Sequence, residues 1–537
     1  LYQLVTKGRH IMKQNTYKIA SVLLLCLMLI PFSTASEESS GMVLKIGTPN
    51  VVKSASILGD SNMGVFAHLS NPTLMKMAAD GSLEGLTARS YEVSEDGKTW
   101  KFIIRDDLYW SDGEKLTSED VKFTFDYLAE NYPAAGWMKE TVNDISTQDD
   151  AVIFKLNKPY SRLNLEFATY PILAKQIWES IEEPMEYTNE GEMLGFGPFY
   201  INSTDLGAGV IYFKRNPHWK GNVPNFDSVE IHTFANMDVL SLALEKGDVD
   251  AYYKYAGTYP YPSIKKLEDT GNFEFVEKDN IGLIFLGMNL KKEAMSDLSF
   301  RKALSYAINY SEMLKLDALG FGQVPNAGFV PPSMMNFKQT AQLEQNLSLA
   351  KSILDSAGYK DADGNGILEG KDGKDIRLTF LTRTDYQRVT ELMVDYLKDL
   401  GIESEIKNVD SSTWIKQKDA GEYDLTITRS TPWGMLMHAN WGTGYFDSRR
   451  TGEGVLHVLE DPEFHKLCDD ILAATSQSQL QDYAYQVQDY YGENLPGIAL
   501  YWNKVVTPYN KAFSGWYSDP LYGIFNVDNF LSVEKSR

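Results

Sequence analysis

An α/β protein of two or three lobes is the architecture this sequence predicts. Three observations point to it. The chain has 537 residues, whereas a single hydrophobic core stops growing at roughly 250–300. Hydrophobic residues make up 43% and charged residues 23%, the balance of a globular chain. From residue 43 onward, strand-turn-strand patterns are interleaved with capped helical segments.

The first 36 residues follow a different pattern. Lys13 and Lys18 precede a mostly apolar run over residues 19–32, and Ser33-Thr34-Ala35-Ser36 follows. A cationic, an apolar and a small-residue part in that order read as a secretory signal starting at Met12. The run of 14 residues is short of the ~20 that a spanning helix needs. Export is therefore expected. Removing residues 1–36 takes away four cations and no acid, moving the net charge from -22 to -26. That acidity argues against a nucleic-acid partner, which needs a basic surface. Cys468 would remain as the single cysteine, so no intramolecular disulfide is expected even in an oxidising compartment. A buried Cys468 and a monomeric protein are the expectation.

The elements then come in order. Residues 43–47 (VLKIG) read as the first strand. Glu95-Asp96-Gly97-Lys98 is a hairpin turn, with residues 100–104 as its return strand. Ser111-Asp112-Gly113 is a second turn. Thr117 caps a helix, with Asp120 in the third helical position where a capping box ordinarily has Glu. Later landmarks are Gly195-Phe196-Gly197-Pro198-Phe199-Tyr200, Arg215-Asn216-Pro217 with Trp219, the ALEKGDVD stretch over 243–250, Met288-Asn289, and Arg301-Lys302-Ala303-Leu304 running to Ala307-Ile308-Asn309.

Taken together and in this order, these segments resemble the family 5 extracellular solute-binding proteins, the peptide- and nickel-binding components of ABC importers. The resemblance is densest over residues 94–121 and runs across the chain beyond residue 36. It implies a periplasmic-binding-protein-like clam shell: a two-lobed α/β fold with an extra subdomain in the first lobe. The first lobe maps to 37–282 plus 498–537, its inserted subdomain to about 65–190, and the second lobe to 283–497. The crossings near 281–289 and 495–502 would be hinge strands, with closure around a ligand as the motion. The implied role is capture of a small molecule in the periplasm or at the outer face of the cytoplasmic membrane, and delivery to permease subunits.

Cargo depends on a few cleft residues. Peptide binders of this family place an Asp in a GW-x-x-D stretch to meet the peptide's ammonium. The corresponding stretch here, 428–441, contains no Asp or Glu, and an enclosed ammonium without a counter-charge is expensive. The nickel-binding branch resembles this stretch better, through Trp433-Gly434. It implies pocket roles for Met63, Trp137 and Trp414 as well. The two arginines with which that branch grips a chelator's carboxylates fall on Ala134 and near Tyr170-Pro171, and its metal-contacting histidine falls near Thr451. Arg429, Arg449 and Arg450 stand as replacement cations. His438, between Met437 and Trp441, offers donors suited to nickel or copper; the alternative is a histidine that only packs and hydrogen-bonds locally. A nickel or related metal chelate is the expected ligand, and an oligopeptide the alternative.

Asp361, Asp363, Asn365 and Asp372 occupy positions 1, 3, 5 and 12 of a loop with Gly366 at position 6. The spacing resembles a structural calcium loop, with an acidic surface turn as the alternative. No nucleophile elbow, P-loop, C-x-x-C or dinucleotide glycine fingerprint occurs. No catalytic residue and no required cofactor are expected. The rival classes are a secreted hydrolase with a dispersed site and a receptor-type binder that does not transport.

Overall fold

The longest strand, Gly497–Asn510, runs through the middle of the largest sheet in a computed structural model that describes residues 41–436, 440–450 and 454–536. The signal segment, Met437, His438 and Thr451 lie outside the described residues. From Val43 onward the chain forms one unit. The first half of the long strand pairs antiparallel with Leu283–Met288, placing Ile284 opposite Tyr501 and Gly287 opposite Gly497. Its second half pairs antiparallel with Phe273–Asp279, from Asp279 opposite Lys504 to Phe273 opposite Asn510.

Two arms of the sheet extend from this strand. One continues through Leu283–Met288, Leu425–Ser430, Arg377–Arg383 and Glu403–Val409; the other runs through Ala251–Tyr252, Val43–Thr48, Ser228–Thr233, Val210–Arg215 and Phe199–Asp205. Arg377–Arg383 and Glu403–Val409 are parallel, which demands a crossover. Helix Gln387–Lys398 supplies it. Every residue of Leu283–Met288 is buried, as expected of a strand covered on both faces.

Val43–Thr48 and Ser228–Thr233 are also parallel, and their connection, 49–227, carries a second sheet. Its strands run in the order Ala88–Val93, Thr99–Ile104, Ala151–Leu156, Val142–Gln148, all antiparallel. Helix Ser118–Asn131 packs on it. Phe125 from this helix meets Phe154 at 5.3 Å and Phe167 at 4.2 Å between ring centres. The helix begins where the capping pattern places it: Asp120 accepts from both the backbone N–H and the hydroxyl of Thr117, each at 2.8 Å.

The landmark motifs prove to be points where backbones meet. The Phe196 and Gly197 N–H groups both donate to the Ser70 carbonyl at 2.9 Å. A Cβ on Gly195 or Gly197 would collide with the backbone of Leu69 and Ser70, so this approach admits only glycine. Asn216 then donates to the Gly197 and Tyr109 carbonyls, and Trp110 packs edge-on against Phe196 at 5.0 Å. The Lys-Gly-Asp stretch ends helix Met237–Lys246 on Gly247, which is left-handed at φ 77°. Helix Leu347–Ser356 is capped by Asn346. Cys468 is buried in helix Pro462–Ala473.

Arg301 is 6% exposed and fully used: it donates to the Met295, Ser296 and Asn494 carbonyls through four hydrogen bonds of 2.8–3.2 Å. Hydrogen bonds to a charged group contribute about 1.5–3 kcal/mol each, and carbonyls left unpaired cost more. An Arg301→Met variant should therefore lose about 3 kcal/mol of stability. Urea denaturation would measure this, and an unchanged midpoint would contradict the assignment.

Candidate ligand-binding site

A chain of rings and charges links the connection 49–227 to the arm that carries Leu425–Ser430. Trp137 donates its indole N–H to the Tyr170 hydroxyl at 3.0 Å, and Tyr170 donates to the Ala134 carbonyl at 3.0 Å. The Trp137 ring stacks on Tyr160 at 5.0 Å and 15°. Tyr160 donates to Glu166 Oε1 at 2.8 Å. Arg162 and Glu166 are both buried, and the Arg162 guanidinium lies over the Trp441 ring at 4.9 Å. Around them the two sides are tied by backbone contacts. The Ser161 N–H donates to the Leu472 carbonyl and its hydroxyl to the Ile471 carbonyl, each at 2.8 Å.

A second group sits where the long strand leads into the C-terminal segment. Arg429 donates to the Ala256 carbonyl at 2.8 Å and lies near the Tyr255, Tyr386 and Tyr445 hydroxyls. The indole N–H of Trp433 faces the Tyr522 hydroxyl without reaching hydrogen-bonding geometry. Gly434 follows Trp433 because a Cβ there would overlap the Tyr445 hydroxyl. Asp519 is buried and accepts the Leu521 and Tyr522 N–H groups at 2.7 and 2.6 Å. It belongs to the lining of two pockets, and Tyr522 is shared with it.

Burial sets the electrostatics. It pushes Glu166 up to about 7, opposed by the Tyr160 hydrogen bond and by the charges of Arg162 and Arg450. It lowers Arg162 to about 10 and raises Asp519 to about 7. Lys254 is lowered by burial and then by Arg429. His68 donates Nε2–H to the Thr169 carbonyl at 3.2 Å in its neutral form, and burial lowers it to about 4.

Of the residues singled out from sequence, Trp137, Arg429, Trp433 and Arg450 enter these groups. Met63 is fully buried in the core of helix Ser61–Ala67. Trp414 is buried as well, donating to Thr426 at 3.0 Å beneath the Arg383 guanidinium at 4.3 Å. Arg449 does not join them: it is held by both oxygens of Asp447 and by Asp469. Met437 and His438 lie outside the described residues.

The calcium expectation needs correction. Asp372 turns to Lys374, pairing with its ammonium at 2.7 Å. The acids that converge are Asp361, Asp363 and Glu369. Their oxygens take backbone N–H groups: Asp361 from Gly364 and Gly366, Asp363 from Asn365, and Glu369 from Ala362 and Asp363. Asn365 likewise accepts from Ile367. The loop is folded on its own hydrogen bonds; of the expected ligands Asp361 and Asp363 converge, with Glu369 and not Asp372 as the third acid.

Arg162, Glu166, Tyr255, Asp519 and Tyr522 escaped the sequence reading. Arg162 and Glu166 did leave a trace: a cation and an acid four residues apart, inside the otherwise uncharged run 159–174.

The model for bacterial extracellular solute-binding proteins, family 5 (middle region), matches residues 82–452. The chain is a family 5 solute-binding protein. As such it is the binding component of an ABC importer. It is 26% identical to the nickel-binding periplasmic protein of Escherichia coli K12 over 388 residues, 69% of this chain and 70% of that protein. It is 24% identical to the probable D,D-dipeptide-binding periplasmic protein DdpA of the same organism, covering 87% of this chain and 90% of that one. NikA of Brucella suis, solved with Fe(III)-EDTA, superposes with a TM-score of 0.79 at 20% identity over 92% of this chain and 99% of its own. The fold is thus that of the periplasmic binding proteins, as expected from the sequence. Among the described residues of this solute-binding protein, no helix is long and apolar enough to cross a membrane.

Asp519 gives a pH test of the buried site. Its folded-state value near 7 stands above the ordinary 3.8, so the folded protein holds the proton more tightly than the unfolded chain. Its contribution is fully present below about pH 4 and is lost as pH rises to about 7. An Asp519→Asn variant has no such titration. Its stability relative to the unsubstituted protein should rise by at most about 4 kcal/mol across that window. Urea midpoints at pH 4.5 and 8 check this; parallel pH profiles for the two proteins would refute it.

Proposed function

We propose that this protein is exported, captures a nickel or related metal chelate outside the cytoplasmic membrane, and delivers it to the permease of an ABC importer. The observation that carries this reading is the charge of the candidate site. Arg162 and Arg450 stand near Glu166 in the first group, and Arg429 and Lys254 stand near each other in the second, while Thr428–Leu436 contributes no acid. Carboxylates of a chelating molecule match such cations. Flat rings such as Trp137 and Trp433 supply contact area at little entropic cost. The sequence adds Met437 and His438 as donors for the metal.

In this mechanism 37–282 with 498–537 and 283–497 act as lobes. Capture closes them about the crossings near 281–289 and 495–502. Closure is driven by the ligand's greater affinity for the closed form. The work is binding, not catalysis.

An oligopeptide is the second reading. Two observations favour it: the DdpA relative matches over 87% of this chain, and Glu166 provides a buried acid near the rings. Against it, Glu166 already has Arg162 and Arg450 nearby.

Calorimetric titration with nickel, with nickel plus L-histidine and with a peptide mixture separates the two. Heat with the nickel–histidine mixture is the expected result; heat with peptides alone would sink the chelate reading. His438→Ala should weaken nickel–histidine binding by roughly tenfold or more, as removal of one metal ligand does. Unchanged affinity would remove His438 from the site.

A further inference from the structure

We infer that Arg162 receives a carboxylate of the bound ligand. This rests on the solute-capture reading but not on which solute is captured. The protein contains its own comparison. Arg301 is buried and donates to three carbonyls at 2.8–3.2 Å. Arg449 is gripped by two carboxylates. Both are structural arginines with their donors used.

Arg162 is 3% exposed, yet its partners are poor. One donor reaches the Met335 thioether at 3.5 Å, another the Leu436 carbonyl at 3.4 Å, and Nε has no partner. Among the described residues no carboxylate stands within ion-pair distance of it. Glu166 is near enough to be felt as a charge, but its Oε1 accepts from Tyr160 instead. A buried guanidinium in this condition is costly until an anion completes it.

The geometry also selects the anion. Trp441 covers one face of the guanidinium at 4.9 Å, so an anion must approach in its plane, along the edge that holds the unpartnered Nε. A planar carboxylate fits that edge with two parallel N–H···O bonds. Arg162 comes from the connection 49–227, whereas Met335, Leu436 and Trp441 come from 283–497, so a ligand seated here touches both sides. The carboxylate could belong to an amino-acid chelator or to a peptide C-terminus; the chemistry is shared.

The test uses paired probes on the full chain, in the unsubstituted protein, R162M and R162K. One pair is nickel with L-histidine against nickel with L-histidinamide. The other is trialanine against its C-terminal amide. The unsubstituted protein should prefer the free carboxylate by roughly 10- to 100-fold. R162M should abolish that preference, and R162K should keep part of it, having charge without the planar fork. If only the trialanine pair shows the effect, the inference stands and the chelate reading falls. If R162M keeps the full preference of whichever pair binds, the inference is overturned and the chelate reading is untouched. Should neither pair bind, thermal melting of the ligand-free proteins decides. An arginine kept for a ligand leaves R162M melting at or above the unsubstituted protein, whereas a fall of several degrees makes Arg162 structural and ends the proposal.

Discussion

The architecture depends on one long strand that changes its main partner part-way along. Gly497–Asn510 gives its first residues to Leu283–Met288 and its last to Phe273–Asp279. Between them, at Trp502 and Asn503, the ladder changes hands. Strand Gly322–Gln323 pairs there, with Gln323 opposite Trp502 and Gly322 opposite Asn503, and Asn280 adds both its backbone and its side chain: its N–H donates to the Asn503 carbonyl at 3.2 Å and its amide to Asn503 Oδ1 at 3.2 Å. Its own Oδ1 accepts the Gly282 N–H at 2.9 Å, and its carbonyl accepts the Ser333 hydroxyl at 2.7 Å. The changeover is therefore a polar clasp and not a gap. The strand bearing Arg429 lies beyond Leu283–Met288 on one side, and the segment with Asp519 and Tyr522 follows the strand's end on the other.

The chain handles buried charge in two ways. Arg301 is surrounded by carbonyls at good distances, so its burial fixes structure. Burial lowers Arg162 and raises Glu166 and Asp519. A partly satisfied polar group in a low-dielectric setting costs stability. It survives selection where something else completes it, and perturbed groups gathered beside cavities mark such places. That contrast within one protein separates arginines that hold the fold from the one assigned to the ligand.

How much of this could be read from the sequence follows from the range of the forces involved. Thr117 with Asp120 was legible because a cap is fixed by neighbouring residues. The Gly195-Phe196-Gly197 and Gly247 segments were marked only by the family resemblance; the first closes on Leu69 and Ser70, far away along the chain. The site was legible only in part. Trp137, Trp433 and Arg429 carry large or charged side chains in segments that the family resemblance marks. Arg162 and Tyr522 are 360 positions apart in the same region, and nothing local says that they converge. The acidic loop was legible only in part, for the opposite reason. Its spacing is local and suggestive, but Asp372 finds Lys374 two residues away and the remaining oxygens find backbone N–H groups first. Spacing alone does not decide between a ligand and a turn.

The contacts that span the two sides divide into those that need no ligand and those that do. The Ser161 bonds to Ile471 and Leu472, and the Arg429 bond to Ala256, are complete as they stand. Such bonds stabilise the joined form equally for any solute, so they cannot discriminate among solutes. Discrimination has to come from groups whose hydrogen bonding is unfinished in the joined form. The Arg162 Nε and the Trp433 indole N–H are two such groups, and both are donors. On the closure mechanism proposed above, a solute seated at these two groups would bring acceptors to them. This requirement favours carboxylate-bearing chelates and free peptide C-termini over cationic or purely apolar molecules.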